Sequence, residues 1–267
     1  MEISMNHLNI KDFNTKKEIL SNVHLKIKDG ASLGIVGPSG SGKTTLSNIL
    51  LGIKNKEMIF EGSVQYMLDE KNIINISDYN LEFSPKIKKK IGYIPQDTMN
   101  IFDPVEKLYT QFKETLSENG YFKHQIDCEI QKLLKKLKLP KNILSKKPYE
   151  LSGGMLQRCT IGLTLALNPD VIIADEPTNS LDLKTKKVIL DVISNYLNQK
   201  KPILILTSHD YQTIKTLCTE VLVIESGKVQ YYGKINEINS NSPCNFFTEI
   251  IRIDEELTKK LKEVLFV

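Results

Sequence analysis

The segment from Gly37 to Thr44 has the residue types and the spacing needed to hold a chain of phosphate groups. It reads GPSGSGKT and matches the pattern G-x-x-x-x-G-K-[ST] without a mismatch. Small residues let successive backbone N–H groups turn inward as a nest for an anion, and the positive end of a following helix adds to the field. Lys43 can reach the β- and γ-phosphates, and the Thr44 hydroxyl can supply an oxygen to Mg²⁺. The segment therefore predicts a nucleoside triphosphate site, formed by Gly37, Pro38, Ser39, Gly40, Ser41, Gly42, Lys43, Thr44 and Thr45.

An acidic pair follows a hydrophobic run later in the chain. Residues 171–174 are apolar, and Asp175 and Glu176 come directly after them. A carboxylate at the tip of a strand can hold Mg²⁺, and a second carboxylate beside it can polarise an attacking water. The pair predicts hydrolysis of the bound triphosphate. A guanine-specific site is not expected, because no N-K-x-D sequence occurs in the chain.

A third motif, LSGGMLQR at 151–158, lies between the other two. Ser152 is a good helix N-cap, and Gly153 and Gly154 leave N–H groups at a helix start exposed to an anion. A second phosphate-binding helix start is explained if it serves the nucleotide of another molecule. The motif resembles the signature of the ATP-binding-cassette (ABC) ATPases, in which two cassettes pair head to tail and each signature covers the other's ATP.

The resemblance covers roughly residues 3–240 and implies roles for further residues. Gln96 resembles the glutamine that touches Mg²⁺ and senses the membrane partner. The segment Ser180-Leu-Asp182 resembles the loop that crosses the dimer interface in the family. His209 resembles the switch histidine that contacts the γ-phosphate, and Phe13 lies where the family stacks an aromatic ring on adenine.

Taken together, the motifs and the resemblance divide the candidate residues into three groups. Catalysis is expected from Glu176, His209 and Lys43, and Mg²⁺ is expected at Thr44, Gln96 and Asp175. ATP is expected at the phosphate loop (residues 37–45), at Phe13 and at Gln96. Four further residues are expected to contact ATP across a dimer: Ser152, Gly153, Gly154 and Asp182. Met155 replaces the glutamine more usual after LSGG, with little expected effect.

The strands and helices that must position these residues indicate an α/β fold. Residues 3–10 and 19–27 alternate apolar and polar as half-buried strands do. Continuous apolar runs are typical of a parallel sheet buried on both faces, and they occur at 171–175, 203–208 and 221–227. Helices are predicted at 44–52, within 105–168 and at 181–199.

The resemblance implies the P-loop NTPase ABC-cassette fold, with a mostly parallel core sheet, an antiparallel β subdomain and a helical insert. We predict a RecA-like ATP-binding core with an antiparallel β arm at 1–96 and 169–240. The helical signature subdomain is predicted at 97–168, and a C-terminal helical tail at 241–267.

Composition excludes several other classes of protein. The chain has 267 residues, 40% of them hydrophobic and 25% charged, which is typical of a globular protein and not of a disordered one. Its four cysteines form no C-x-x-C pair, which argues against a zinc ribbon. The lysine clusters at 86–90 and 132–147 lack interleaved aromatics, so a solvated face is favoured over a nucleic-acid site. No apolar run approaches the roughly 18 residues of a membrane span, so any membrane connection is expected through a partner.

Finer features resemble the branch that imports peptides, nickel and related metal chelates. The run from Gln96 to Pro104 is similar to that branch's Q-loop, and the short C-terminus favours nickel or metal chelates over peptides. The resemblance implies two transmembrane permease subunits, a second and different ABC ATPase in a head-to-tail dimer, and an extracytoplasmic substrate-binding protein, with no nucleic acid. It implies a peripheral position at the cytoplasmic face of the cell membrane.

Two alternatives remain open at this stage. An exporter subunit would carry the same motifs, because the direction of transport belongs to the membrane partner. A clamp for DNA repair or chromosome organisation is disfavoured, since those chains separate the phosphate loop from LSGG by long coiled coils. The stretch between Lys43 and Ser152 shows no sustained heptads.

Overall fold

The computed structural model describes most of the chain as two compact units. The described residues are 1–53, 55–68, 73–76, 85–179, 181–238, 246–254 and 256. The first unit comprises residues 1–83 and 203–267, and the second comprises residues 84–202. Predictions for Ser180 and for most of the C-terminal tail lie outside the described residues; within the tail, 246–254 is helical.

The elements alternate between strands and helices along much of the chain. The strands are β1 (Glu2–Asp12), β2 (Glu18–Lys28), β3 (Ser32–Val36), β4 (Met58–Met67), β5 (Ile73–Ile76), β6 (Ile91–Ile94), β7 (Val171–Asp175), β8 (Ile203–Thr207), β9 (Glu220–Glu225) and β10 (Lys228–Lys234). The helices are α1 (Lys43–Leu50), α2 (Pro85–Lys88), α3 (Leu108–Glu118), α4 (Lys123–Lys136), α5 (Gly153–Ala166), α6 (Leu183–Lys200) and α7 (Tyr211–Leu217).

The first unit begins with an antiparallel arm. β1 pairs with both β2 and β4, and β4 pairs with β5, all antiparallel. On β1 the apolar side chains Ile3, Met5, Leu8 and Ile10 are buried, while the residues between them are less so. The predicted half-buried strands at 3–10 and 19–27 are therefore confirmed.

The rest of the first unit is a mostly parallel sheet. β3 lies between β8 and β9 and is parallel to both, and every residue of β3 and β8 is buried. β10 runs antiparallel to β9 and pairs with β2 in parallel. α7 covers this sheet closely, since a β-carbon at Gly34 would lie 2.9 Å from side-chain carbons of Ile214. The continuous apolar runs thus form buried parallel strands, as their pattern predicts.

The second unit combines two parallel strands with a helical cluster. β6 pairs with β7 in parallel. The apolar stripe of α4 is buried in a core shared with α3 and α5, and it consists of Ile126, Ile130, Leu133, Leu134 and Leu137. The helical stretch predicted at 105–168 begins at Leu108, and two 3-10 turns at 141–145 and 148–150 separate α4 from α5. Among the described residues, no helix is both long and apolar enough to span a bilayer.

Candidate nucleotide site

The phosphate loop connects the end of β3 to the start of α1, and its path depends on glycine. A β-carbon at Gly37 would lie 2.0 Å from the backbone oxygen of Ile224, and one at Gly42 would lie 2.6 Å from Leu20. Gly42 also has a positive φ of 105°, which disfavours other residues. The loop is therefore pressed against β9 and β2, and only glycine fits at these two contacts.

The start of α1 presents backbone donors. Its N-cap is Gly42, which offers no side-chain cap, so no side-chain acceptor occupies these N–H groups from that position. Ser41 beside it has a buried hydroxyl oxygen for which no hydrogen-bond partner is found within the described part of the chain. Uncapped donors at a helix N-terminus and a buried hydroxyl fit the binding of an anion.

The side chain of Lys43 is held by hydrogen bonds to the backbone of the phosphate loop. Its Nζ donates hydrogen bonds to the backbone oxygens of Gly37 at 2.8 Å and Pro38 at 2.9 Å. The side chain is buried, while the neighbouring Thr44 is exposed. The ammonium group is thus fixed next to the backbone that would cradle phosphates.

His209 lies at the same edge of the sheet as the phosphate loop. Ile35 pairs with Thr207 in the parallel register of β3 and β8, so the segments that follow both strands leave the sheet together. His209 is exposed, and the next residue, Asp210, caps α7 by accepting from Thr213 N at 2.8 Å. The carboxyl ends of parallel strands are where ligands bind in α/β sheets.

Phe13 is carried by a tight turn after β1. Its side chain is 54% exposed, its N–H donates to the oxygen of Glu57 at 2.7 Å, and Nζ of Lys16 lies 4.5 Å from the ring centroid. The Asp12 carboxylate closes the turn by accepting from Thr15 N at 2.7 Å, and this hydrogen bond is the main reason why the pKa of Asp12 lies below its ordinary value. The turn presents an exposed flat ring that can stack on a base.

In the second unit, Gln96 and the acidic pair lie at one edge of the β6–β7 pair. Ile94 pairs with Ala174, so Gln96 and Glu176 each lie two residues beyond paired positions. Asp175 is buried, and its charge adds to the effect of burial in raising the pKa of Tyr93. Amide and carboxylate oxygens such as those of Gln96 and Asp175 are the kind of donors that Mg²⁺ prefers.

Glu176 has an unusual backbone conformation. Its φ is 45°, a left-handed value that is uncommon outside glycine, and its side chain is half-buried directly after β7. Such conformations cost free energy and cluster at functional sites. The sharp turn redirects the chain at the residue predicted to be the catalytic base.

The signature motif forms the start of α5. Ser152 is the N-cap and accepts from Met155 N at 3.3 Å. A β-carbon at Gly153 would meet open space, and one at Gly154 would lie 3.4 Å from Leu181. The helix start is therefore open at Gly153 and closely approached at Gly154.

Asp182 caps α6 next to this helix start. Its carboxylate accepts from Lys184 N and Thr185 N at 3.0 Å and from the Thr185 hydroxyl at 2.6 Å. The bond from the Thr185 hydroxyl is the largest cause of the lowered pKa of Asp182. Since a β-carbon at Gly154 would also lie 3.6 Å from Thr185, the structure brings the signature and Asp182 together.

Gln157 makes a contact beside the candidate site that the sequence did not indicate. It is buried, and its side-chain amide donates to the oxygen of Pro177 at 3.0 Å. This bond ties the signature helix to the segment that follows Glu176. The available signal was a glutamine in a helix that is rich in apolar residues.

Comparisons with known proteins identify the family of the chain. Residues 20–179 match the family model described as ABC transporter. The oligopeptide transport ATP-binding protein OppD of Lactococcus lactis subsp. cremoris is 31% identical over 88% of this chain and 70% of its own length. The metal-staphylopine import system ATP-binding protein CntD of Staphylococcus aureus is 34% identical over 98% of this chain and 97% of its own.

Solved structures of ATP-binding cassettes have a similar fold. A dimeric ATP-binding cassette in a post-hydrolysis state, bound to ADP and Pi, has a TM-score of 0.73 and 26% identity, covering 88% of this chain and 100% of that chain. The fold and the motifs define an ATP-binding P-loop ATPase of the ABC-cassette class. The chain belongs to the ABC transporter family, and its resemblance to the peptide and metal-chelate branch is confirmed.

Proposed function

We propose that this chain powers an importer for metal chelates or peptides. The observation that carries the proposal is the match to the metal-staphylopine import ATPase, which extends over 98% of this chain and 97% of that protein.

The phosphate loop and Lys43 would bind the phosphates of ATP. The N–H groups at the start of α1 and the Lys43 ammonium would stabilise charge on the β- and γ-phosphates. Phe13 would stack on the adenine. Mg²⁺, when bound, would be held by Thr44, Gln96 and Asp175 and would neutralise charge on the phosphates.

Hydrolysis would depend on Glu176 as general base. The carboxylate would accept a proton from water as its oxygen attacks the γ-phosphorus, and ADP would leave with the bridging oxygen. His209 would donate a hydrogen bond to the transferring phosphoryl group. The strained φ of 45° at Glu176 supports this role, because it holds the carboxylate at a defined turn.

The partners follow from the same family relationship. A second cassette, a different chain, would pair head to tail, with Ser152, Gly153 and Gly154 of each cassette covering the other's ATP and Asp182 lying at the interface. The solved dimeric cassettes support such pairing. Two permease subunits would dock on the helical subdomain at 97–168, a substrate-binding protein would deliver cargo, and the chain would lie peripherally at the cytoplasmic face of the membrane. The ATP-binding core would comprise 1–96 and 169–240, with 241–267 as a C-terminal tail.

The first test is co-purification of the tagged chain from detergent-solubilised native membranes. Recovery of two permeases, a second ATPase and a binding protein would support an importer, and the ligand of the binding protein would identify the cargo. Permeases recovered without a binding protein would instead indicate an exporter. Soluble or DNA-bound partners alone would contradict a transport function.

The second test concerns Glu176 as the general base. The variant E176Q should bind ATP as the wild type does and should lose turnover by a factor of about 10² or more. E114Q, at an exposed position on α3, is the matched control and should hydrolyse ATP normally. Normal hydrolysis by E176Q would overturn the assignment.

A further inference from the structure

Two histidines lie side by side on the exposed face of the antiparallel arm, where the strand pairing is irregular. The ring centroids of His7 on β1 and His24 on β2 are 5.4 Å apart, and both side chains are exposed. No role in the ATPase reaction involves either residue. We propose that this pair binds one divalent transition-metal ion of the zinc, nickel or copper type, a site independent of the proposed transport function.

The separation of the rings suits two imidazoles that share one ion. With metal–nitrogen bonds of about 2.0–2.1 Å and tetrahedral geometry, the two ring centroids would lie about 5 Å apart. The observed 5.4 Å is close to this value. The spacing of the two rings is therefore compatible with chelation of one ion.

A hydrogen bond prepares His7 as a ligand. Nδ1 of His7 lies 2.8 Å from Oδ1 of Asn22, and an amide oxygen only accepts, so Nδ1 carries the proton. The lone pair of the neutral ring is then on Nε2, where a metal would bind. Metal-ligating histidines almost always donate their other ring N–H in this way.

The same network holds the backbone at His7. Asn9 donates from Nδ2 to the His7 oxygen at 2.9 Å, and its Oδ1 accepts from Asn22 N at 2.8 Å. The three residues therefore form a closed set of bonds between β1 and β2. His7 is oriented by neighbours on both strands.

The strands bulge at this point. His7 and Asn22 have positive φ angles of 49° and 50°, and the register of β1 shifts between Met5 and Leu8. On β4, a β-carbon at Gly62 would lie 2.4 Å from the His7 oxygen, so glycine is needed opposite the bulge. Bulges re-aim side chains, and three adjacent strands here depart from regular geometry to place His7 beside His24.

Two imidazole nitrogens favour late transition metals over Mg²⁺, which prefers oxygen. Within the described part of the chain, no group of three or more His, Cys, Asp or Glu side chains could hold a metal. The proposed site therefore has two protein ligands, and solvent would complete the coordination. Its probe is Zn²⁺, with Mg²⁺ as the negative control.

The test follows the imidazole nitrogen resonances of the four histidines during a Zn²⁺ titration. The resonances of His7 and His24 should shift together, with one ion per chain, and Mg²⁺ should leave both unchanged. Movement of only one of the two, or of neither, would overturn the proposal.

Variants separate ligation from structure. H7N keeps a residue that tolerates positive φ, and H24Q keeps a polar exposed side chain; each should weaken Zn²⁺ binding by about tenfold or more. N22G keeps the backbone conformation but removes the acceptor, and should weaken binding by about tenfold. The control H124Q should bind as the wild type. Equal affinity in wild type, H7N and H24Q, with unchanged thermal stability showing that all are folded, would refute the site.

Discussion

The backbone oxygen of Ile224 lies 2.0 Å from the position that a β-carbon on Gly37 would take. That oxygen cannot move aside as a flexible side chain could, because Ile224 is paired in register with Val229 of β10. The phosphate loop therefore leaves β3 in direct contact with the backbone of β9. The first glycine of the motif is therefore required by packing, in addition to its proposed part in phosphate binding.

G37A should accordingly disrupt the loop. We expect a loss of about 1–3 kcal/mol in the free energy of unfolding, since the loop or β9 must shift, together with loss of ATP binding. G40A is the matched control for stability: its φ is 76°, but a β-carbon there meets nothing within 4 Å. Strain alone should cost it about 1 kcal/mol. Urea denaturation and titration with a fluorescent ATP analogue would measure both effects, and wild-type affinity in G37A would contradict the packing argument.

Asp12 should control how firmly Phe13 is presented. D12A removes the acceptor of the Thr15 N–H and hydroxyl, so the turn that carries Phe13 should loosen and the Kd for ATP should rise several-fold. The control E18A, an exposed carboxylate on the same arm, should bind ATP normally. Unchanged affinity in D12A would exclude a positioning role.

The same carboxylate predicts a dependence of stability on pH. The pKa of Asp12 in the folded chain is lowered from 3.8, chiefly by the hydrogen bond from Thr15 N–H. Its stabilising contribution is therefore complete above the unfolded value and is lost as pH falls through the folded one. The difference in Tm between wild type and D12A should be constant from about pH 5 to 8 and should shrink below about pH 4. A Tm difference that grows as the pH falls would contradict a lowered pKa of Asp12 in the folded chain.

Tyr66 joins the arm to α1 within the first unit. Its hydroxyl donates to the backbone oxygen of Leu50, both residues are fully buried, and burial raises the pKa of Tyr66 far above its ordinary value. Y66F leaves the carbonyl without this donor and should lower the free energy of unfolding by about 1–2 kcal/mol. Y149F, at a residue that is 61% exposed, should have no effect. Equal urea midpoints for Y66F and wild type would mean that another donor replaces the hydroxyl.

The cysteines should differ sharply in reactivity. Among the three cysteines in the part of the chain that the structure describes, Cys128 is exposed, whereas Cys159 and Cys218 are buried. Burial raises the pKa of Cys159 to about 12 and that of Cys218 further, so neither forms the reactive thiolate near neutral pH. Iodoacetamide at about pH 8 should modify Cys128 first, and the two buried thiols only after denaturation. Peptide mass spectrometry would measure this, and early labelling of Cys159 would indicate local opening of α5.

Much of the site could be predicted from sequence because its chemistry is local. The phosphate loop is a continuous segment whose glycines, lysine and threonine act together, so its pattern identifies both the ligand and the flanking strand and helix. The buried strands and the apolar stripe of α4 were predictable for a similar reason, since repeated burial leaves a regular pattern. The residues proposed to act in catalysis were all named from motifs, and their roles await the tests above.

Other features depend on contacts between distant segments, which no local pattern records. β10 (KVQYYGK) is only partly buried, and it becomes a strand through its pairing with β9 and β2. The bond from Gln157 to Pro177 and the approach of Ile224 to Gly37 join residues from separate elements. The bulge that brings His7 beside His24 likewise involves the pairing of three strands. Local motifs are enough to identify the class of protein and its nucleotide chemistry. Which side chains meet depends on the folded chain, because register and close approach are set by packing across the whole unit.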